Sequence, residues 1–160
     1  MLILHPQTTN GLPPDHIPTL MRTVRDESGR HYLLLKASGE SSLVRDPETG
    51  ETTYLDNDRL SPADGESPLS TASRAVPDPV RTVLTACHDD RALGLLLELD
   101  DRGPLAVREI MGAYDMCESD VHGVLLEFQA ADLIVETTVA GERGYKCTEE
   151  AETALTHLRT

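Results

Sequence analysis

The sequence is short of aromatic and lysine side chains: it has no tryptophan, one phenylalanine and two lysines, Lys36 and Lys146. No run of 18 apolar residues occurs, so no membrane-spanning helix is predicted. The first apolar residues are followed by His5 and Pro6 without a basic flank, unlike a secretory signal. The three cysteines are far apart, which argues against a disulfide framework. These absences predict a cytoplasmic protein with reduced thiols and no membrane partner.

Basic residues are also scarce. The 160 residues include 14 Lys and Arg against 28 Asp and Glu, a net charge of -14. A basic surface that holds phosphates without regard to sequence is therefore not expected. A high content of carboxylates is typical of a protein that works in molar salt, where repulsion between charges extends over only about 3 Å. The composition predicts adaptation to high salt, and the length suits one domain of ordinary size, alone or with a small appendage.

Turn sequences divide the N-terminal part of the chain. Residues 1–18 hold four prolines and little periodicity, which predicts a flexible arm. Between residues 19 and 55, the turns DESG, SGE and DPETG separate segments of strand type and predict an antiparallel β-meander. So small a sheet buries little surface, so we expect it to lean on the rest of the chain or on a second copy. Residues 56–77, rich in Ser, Pro and Ala, are predicted to be a linker.

Helical periodicity dominates residues 78–160. The predicted elements are helices beginning at Asp78, Asp90 and Leu105, a helix over Glu118–Ala131 opened by the capping residues Ser119 and Asp120, strands over 133–139 and 145–148 joined by a turn at 140–144, and a final helix over 148–158. Asp90 is the predicted cap of the second of these helices. This order is that of a winged helix-turn-helix. The predicted fold class is α+β, with a C-terminal winged helix-turn-helix domain and a small N-terminal antiparallel β-meander.

Particular stretches of this region match a known family. They are a leucine-rich helix ending in Asp-Arg-Gly-Pro-Leu, the following Val-Arg-Glu-Ile, the Ser-Asp-Val that opens the third helix, and the Ala-Asp-Leu-Ile that leads into the hairpin. Over residues 78–160, about half of the chain, the sequence resembles winged helix-turn-helix regulators of the ArsR and MarR type. The hairpin SLVRDPETGETTYL in the N-terminal part resembles a module of uncharacterised halophilic archaeal winged-helix proteins.

The resemblance implies a transcriptional regulator that binds promoter DNA. Helix 118–131 would enter a major groove, and the wing, residues 139–145, would touch the DNA backbone or the minor groove. Members of the family usually bind two half-sites, so a homodimer is expected. The residues expected to contact DNA are Ser119, His122 and Gln129 on the helix and Arg143 and Lys146 on the wing.

The charge of this region departs from the family pattern. Helix 118–131 contains no Arg or Lys, the residues that most often read guanine, and residues 78–160 carry a net charge of -10. Two hypotheses follow. In one, a layer of cations at molar salt bridges carboxylates to phosphates and the chain binds DNA. In the other, the winged helix is a protein–protein interaction module that contacts no DNA.

Other chemistry has little support in the sequence. Metal-ligand residue types occur at Cys87, His88, Cys117, His122 and Cys147, but no pair has the close spacing of a metal motif. Paired carboxylates are expected on the surface of so acidic a chain. No phosphate-binding loop, dinucleotide fingerprint or nucleophile elbow occurs. We therefore expect neither a metal site nor a cofactor, and no enzymatic activity.

Overall fold

The structure is a computed structural model, and it describes residues 20–160. The predicted flexible arm, residues 1–18, lies outside the described residues. The chain forms two compact units, an N-terminal unit that ends at Ala72 and a C-terminal unit that begins at Ser73. Among the described residues, no helix has the length and apolar character needed to cross a bilayer.

The N-terminal unit is built on an antiparallel sheet of five strands. The strands are β1 (Arg22–Arg25), β2 (His31–Ala37), β3 (Ser41–Arg45), β4 (Thr52–Asp56) and β5 (Ser61–Pro62). Their order across the sheet is β4-β3-β2-β1-β5. Val24, Leu33 and Val44 are its buried apolar residues. The first four strands follow one another as a meander, as the spacing of the turn sequences predicts.

Aspartates fix the turns between these strands. Between β1 and β2, Asp26 Oδ1 accepts hydrogen bonds from the backbone N–H groups of Ser28 (2.9 Å) and Arg30 (3.0 Å). Between β3 and β4, Asp46 Oδ1 accepts from the N–H of Glu48 at 2.8 Å. Short polar side chains that bond to the backbone two residues on are typical of tight turns. These local bonds explain why the turn sequences were readable without the rest of the chain.

The structure differs from the predicted linker over residues 56–77. This segment contains β5, which pairs with β1, and a short helix α1 (Pro68–Ala72). Thr71 on α1 is fully buried, and its Oγ1 lies 2.7 Å from Oγ1 of Thr23 on β1. A two-residue strand and a five-residue helix are too short to show an apolar period, so composition alone could not separate them from a linker.

The C-terminal unit combines helices with a three-stranded sheet. Its elements are α2 (Asp78–Ala86), α3 (Asp90–Arg102), β6 (Leu105–Ala106), α4 (Val107–Ala113), α5 (Glu118–Ala130), β7 (Ile134–Val139), β8 (Glu142–Cys147) and α6 (Glu149–Leu158). The strand order is β6-β8-β7, and both pairings are antiparallel. The fully buried centre is formed by the side chains of Val83, Leu96, Leu99, Ile110, Val121, Leu125, Phe128, Leu133 and Leu155. The predicted α+β class with a winged helix-turn-helix order is confirmed.

The helix caps correct two details of the sequence analysis. Helix α3 is capped by Asp89, whose carboxylate accepts from the N–H of Ala92 at 2.8 Å, rather than by Asp90. Helix α5 is preceded by Cys117 in an extended conformation, so Ser119 lies inside the first turn and does not cap it. Thr148 caps α6 by accepting from the N–H of Ala151 at 3.2 Å.

Gly144 is required where β6 meets β8. A Cβ atom on Gly144 would lie 2.6 Å from the backbone oxygen of Leu105 and 2.7 Å from Cγ2 of Val139. Both distances are well below van der Waals contact, and the first neighbour is backbone that cannot rotate away. A glycine inside a strand often marks this kind of close backbone approach.

We therefore predict that Gly144→Ala destabilises the C-terminal unit by about 2–3 kcal/mol, because overpacking of this size forces the backbone apart. The measurement is urea unfolding in molar KCl followed by far-UV circular dichroism. Gly123→Ala is the matched control, since a Cβ there meets nothing and alanine suits a helix interior better by about 1 kcal/mol. Equal urea midpoints for the two variants would contradict the prediction.

Cys147 gives a second prediction. Its thiol is buried and donates to the backbone oxygen of Leu96 across 3.7 Å, and burial raises its pKa to about 12. Brief iodoacetamide treatment of the folded chain at pH 8 should therefore modify the exposed Cys117 and leave Cys147 unmodified until urea unfolds the chain. Peptide mass mapping distinguishes the two sites.

Folding raises the pKa of the Cys147 thiol, so the neutral thiol stabilises the folded chain. This contribution to the free energy of unfolding should be lost as the pH rises from about 9 to about 12.

Candidate nucleic-acid interface

Helices α4 and α5 form the helix-turn-helix. The turn between them is residues 114–117, in which Asp115 has a left-handed φ of 50°. Val121, Leu125 and Phe128 on α5 are buried, with the spacing of one helix face. Burial of that face fixes which residues of α5 point outward.

The outward face of α5 has small and apolar residues along its centre and acidic residues at its sides. Its exposed residues are Glu118, Ser119, Asp120, His122, Gly123, Leu126, Glu127 and Ala130. The Leu126 side chain, at the centre of this face, is 68% exposed. No Lys or Arg lies between residues 118 and 130.

The three predicted contact residues of α5 differ in position. Ser119 is exposed at the start of the helix, with its Oγ 3.1 Å from Sγ of Cys117. His122 is exposed one turn later, and its Nε2 lies 3.7 Å from a carboxylate oxygen of Glu118. Gln129 is half-buried near the C-terminal end. The structure thus brings Ser119 and His122 onto one exposed face and sets Gln129 apart.

The wing is the hairpin of β7 and β8. Ala140 and Gly141 both have positive φ, 51° and 83°, so they form the two-residue turn that suits the twist of a hairpin. The predicted turn over 140–144 is therefore too long. Arg143 lies within β8, directly opposite Thr138 on β7, and not at a loop tip.

Arg143 is held in place on the wing. Its guanidinium contacts one carboxylate oxygen of Glu136 through Nη2 at 2.8 Å and Nε at 3.0 Å. The same group lies 5.5 Å from the ring centroid of Tyr145, within cation–π distance. Its side chain is still 57% exposed, so solvent and ligands can reach it.

Lys146 is the second predicted cation of the wing. Because side chains alternate along a strand, Lys146 projects from the face of the hairpin opposite to that of Arg143. Lys146 is exposed, and no carboxylate within residues 20–160 lies at ion-pair distance from it. The structure therefore does not gather the two wing cations into one cluster.

Sequence reasoning missed Arg108. It lies in the first turn of α4 with a side chain 83% exposed, and its Nη1 is 3.5 Å from a carboxylate oxygen of Glu142 on β8. Arg91 at the start of α3 lies 4.0 Å from Asp120 of α5. Both pairings depend on contacts between elements, so spacing along the chain gave no signal for them.

A polar network joins α3 to α4. The hydroxyl of Tyr114 donates to Oε2 of Glu98 at 2.5 Å, and Arg102 bonds to both Tyr114 and Glu109. The hydrogen bond to the Glu98 carboxylate raises the pKa of Tyr114. These bonds fix the end of α4 relative to α3, and with it the turn that leads into α5.

The C-terminal unit also has an apolar groove. It lies among α2, α3 and α6, has a volume of about 410 Å³, and includes Leu84, Leu93, Leu97 and Leu158 in its lining.

Within residues 20–160, no group of three His, Cys, Asp or Glu side chains is arranged to hold a metal ion.

Comparison with known proteins gives structural likenesses and one family. HlyU from Vibrio cholerae is 21% identical, with a TM-score of 0.44 over 51% of this chain and 88% of that chain. The transcriptional regulator HlyU from Vibrio vulnificus is 20% identical, with a TM-score of 0.44 over 55% and 86%. An ArsR family transcriptional regulator is 19% identical, with a TM-score of 0.40 over 52% and 86%.

No curated protein matches the chain. A family model does match, and the match extends over residues 21–159. Both compact units therefore fall within a single family match. The chain belongs to the family described as "Family of unknown function (DUF7346)".

Proposed function

We propose that the chain is a DNA-binding transcriptional regulator adapted to high salt, in which α5 and the wing contact promoter DNA. The observation that carries the proposal is the architecture of the C-terminal unit. A helix-turn-helix whose second helix keeps one face exposed is followed directly by a hairpin with an exposed arginine and an exposed lysine. An exposed helix fits a major groove, and the hairpin beside it reaches the backbone.

The predicted contact residues divide between the helix and the wing. Ser119 and His122, on the exposed face of α5, are proposed to meet base edges or phosphates, with Gln129 at the far end of the helix. Arg143 and Lys146 are proposed to bind the backbone from the wing. Two copies of the chain would read two half-sites and act by occlusion or recruitment at a promoter.

Ion pairs on the same surface explain how an acidic domain can bind phosphate. Arg108 and Arg143 lie within 3.5 Å of a carboxylate, but all of these side chains are exposed. Exposed pairs contribute only about 0–1 kcal/mol, so an arginine can exchange its carboxylate for a phosphate at little cost. In molar salt the remaining carboxylates repel DNA only over about 3 Å.

The first test is selection of duplexes from a random library by the full chain in molar KCl. We expect a paired motif, and we expect Arg143→Ala, Lys146→Ala and His122→Ala each to weaken binding of the selected duplex. The loss should be about tenfold or more for a residue that contacts a base, since such a contact is worth about 1–3 kcal/mol, and smaller for a residue that contacts a phosphate.

Arg59→Ala is the matched control for Arg143→Ala. Arg59 is 58% exposed and pairs with Glu27 at 3.7 Å, but it lies in the N-terminal unit. Its loss should leave duplex binding unchanged. If no sequence is enriched at any salt concentration, the proposal of direct DNA recognition fails.

Salt dependence gives a sharper prediction. An ordinary protein with three phosphate contacts shows a log–log salt slope of about -2.7, because phosphates release their counterions. Here each arginine that moves to a phosphate leaves a carboxylate that takes up a cation, so the two effects largely cancel. We expect a slope between 0 and about -1 for this chain over 0.2–2 M KCl, measured by fluorescence anisotropy.

Glu136→Gln removes the carboxylate beside Arg143 and should steepen the slope by about 0.9. Glu27→Gln, which changes a similar pair on the N-terminal unit, should leave the slope as it is. A steep slope for the unmodified chain, or equal slopes for the two variants, would refute the exchange of carboxylate for phosphate.

The exposed Leu126 favours a second candidate function, a protein interaction module. An apolar centre between acidic flanks fits a protein partner with an apolar, basic surface better than it fits DNA. Leu126→Ser separates the two functions. It should leave duplex binding within about threefold if α5 reads DNA through its polar residues, and it should abolish binding of a protein partner at this face.

A further inference from the structure

The N-terminal sheet has one open edge. Its outer strands are β4 and β5. β5 has two residues, one of which is Pro62, and proline has no N–H to donate to a further strand. β4 has five residues, Thr-Thr-Tyr-Leu-Asp, without proline, glycine or lysine, and all five pair in unbroken register with β3.

The hydrogen bonds at the two ends of β4 show which backbone groups face outward. The N–H of Asp46 donates to the oxygen of Glu51, and the N–H of Asn57 donates to the oxygen of Glu40, both at 2.9 Å. Because bonded and non-bonded residues alternate in an antiparallel pair, the backbones of Thr53 and Leu55 also point toward β3.

Thr52, Tyr54 and Asp56 then present N–H and C=O groups to the free edge. The C=O of Asp56 also accepts the first bond of a 3-10 turn over Asn57–Arg59, and no other backbone group of this edge has a backbone partner within residues 20–160. The Tyr54 side chain beside it is 60% exposed. A regular edge of this kind, with no bulge or proline, is suited to pairing with another strand.

We propose that β4 pairs with β4 of a second copy of this chain, antiparallel and centred on Tyr54. In this register Tyr54 lies opposite Tyr54 of the second copy, and Thr52 lies opposite Asp56 of the second copy. All three outward-facing residues then form hydrogen-bonded pairs, in which the Asp56 oxygen accepts through its second lone pair, and the two sheets become one. Shifting the register by two residues would leave some of these groups unpaired.

Charge complementarity supports a second copy as the occupant. Arg45 on β3 lies directly opposite Thr52, so both side chains are on one face of the sheet. In the joined sheet, Asp56 of the second copy lies directly opposite Thr52. Its side chain is therefore on the same face of the sheet as those of Arg45 and Thr52. Within residues 20–160, neither Arg45 nor Asp56 has an ion-pair partner.

The geometry allows these two charges to meet. Two strand spacings separate the Cα atoms of Arg45 and Asp56 of the second copy, about 10 Å. An arginine and an aspartate can span this distance above the small side chain of Thr52. The two-fold symmetry repeats the pair, so the tyrosines at the centre, each beside Leu43 of its own chain, lie between two ion pairs.

This inference goes beyond the proposed function and does not rest on it, because its test measures the mass of the protein without DNA. Sedimentation equilibrium of the full chain in 1 M KCl should show a dimer. Arg45→Glu and Asp56→Arg should each weaken association about tenfold or more. The double variant carrying both changes should restore it, since the opposite charges again meet across the two-fold axis.

Tyr54→Pro tests the backbone pairing. It removes an N–H that points away from β3, so the N-terminal sheet should keep its fold while the dimer dissociation constant rises at least a hundredfold. Tyr54→Thr is the matched control, because it loses the ring but keeps the N–H, and it should weaken association less than tenfold. Far-UV circular dichroism checks the fold, and if Tyr54→Pro is unfolded the charge-reversal set decides.

Three results would overturn the proposal. The first is a monomer at every concentration. The second is a double charge variant no better associated than the single variants. The third is a dimer that all β4 variants leave intact and that Leu84→Glu, in the apolar groove of the C-terminal unit, dissociates.

Discussion

One buried helix face organises the C-terminal unit. Val121, Leu125 and Phe128 are fully enclosed by the surrounding helices and strands, and burial of a side chain of this size contributes about 1.5–3 kcal/mol. That packing fixes the rotation of α5 about its axis. The small, apolar and acidic residues of the other face are exposed as a consequence, so the core determines what the helix can offer to a ligand.

The sequence was sufficient where the structure is local or strongly periodic. The apolar spacing of α5 predicted residues 118–131, and the helix runs over Glu118–Ala130. The hairpin of β7 and β8 was readable from its β-branched run and from the turn. Aspartate turns in the N-terminal sheet were equally readable, because their hydrogen bonds close within four residues.

The remaining features depend on contacts that spacing does not encode. α1 is stabilised by the burial of Thr71 against Thr23, 48 residues earlier in the chain. Arg143 was expected within a turn over 140–144, but two positive φ angles complete the turn at Ala140 and Gly141, so Arg143 lies in the strand. Arg108 acquires its partner Glu142 only when α4 packs against β8. The DNA-contacting roles of the site residues stay predictions.

Only one of the two edges of the N-terminal sheet can pair with a further strand, and this limits how many copies of the chain can associate. Pro62 blocks one edge, while the other is used completely once a single copy has paired with it. Strand pairing of this kind therefore ends at a closed pair and offers no surface for a third chain. A sheet open at both edges could instead elongate without limit, so one proline on the shortest strand separates a finite assembly from a fibril.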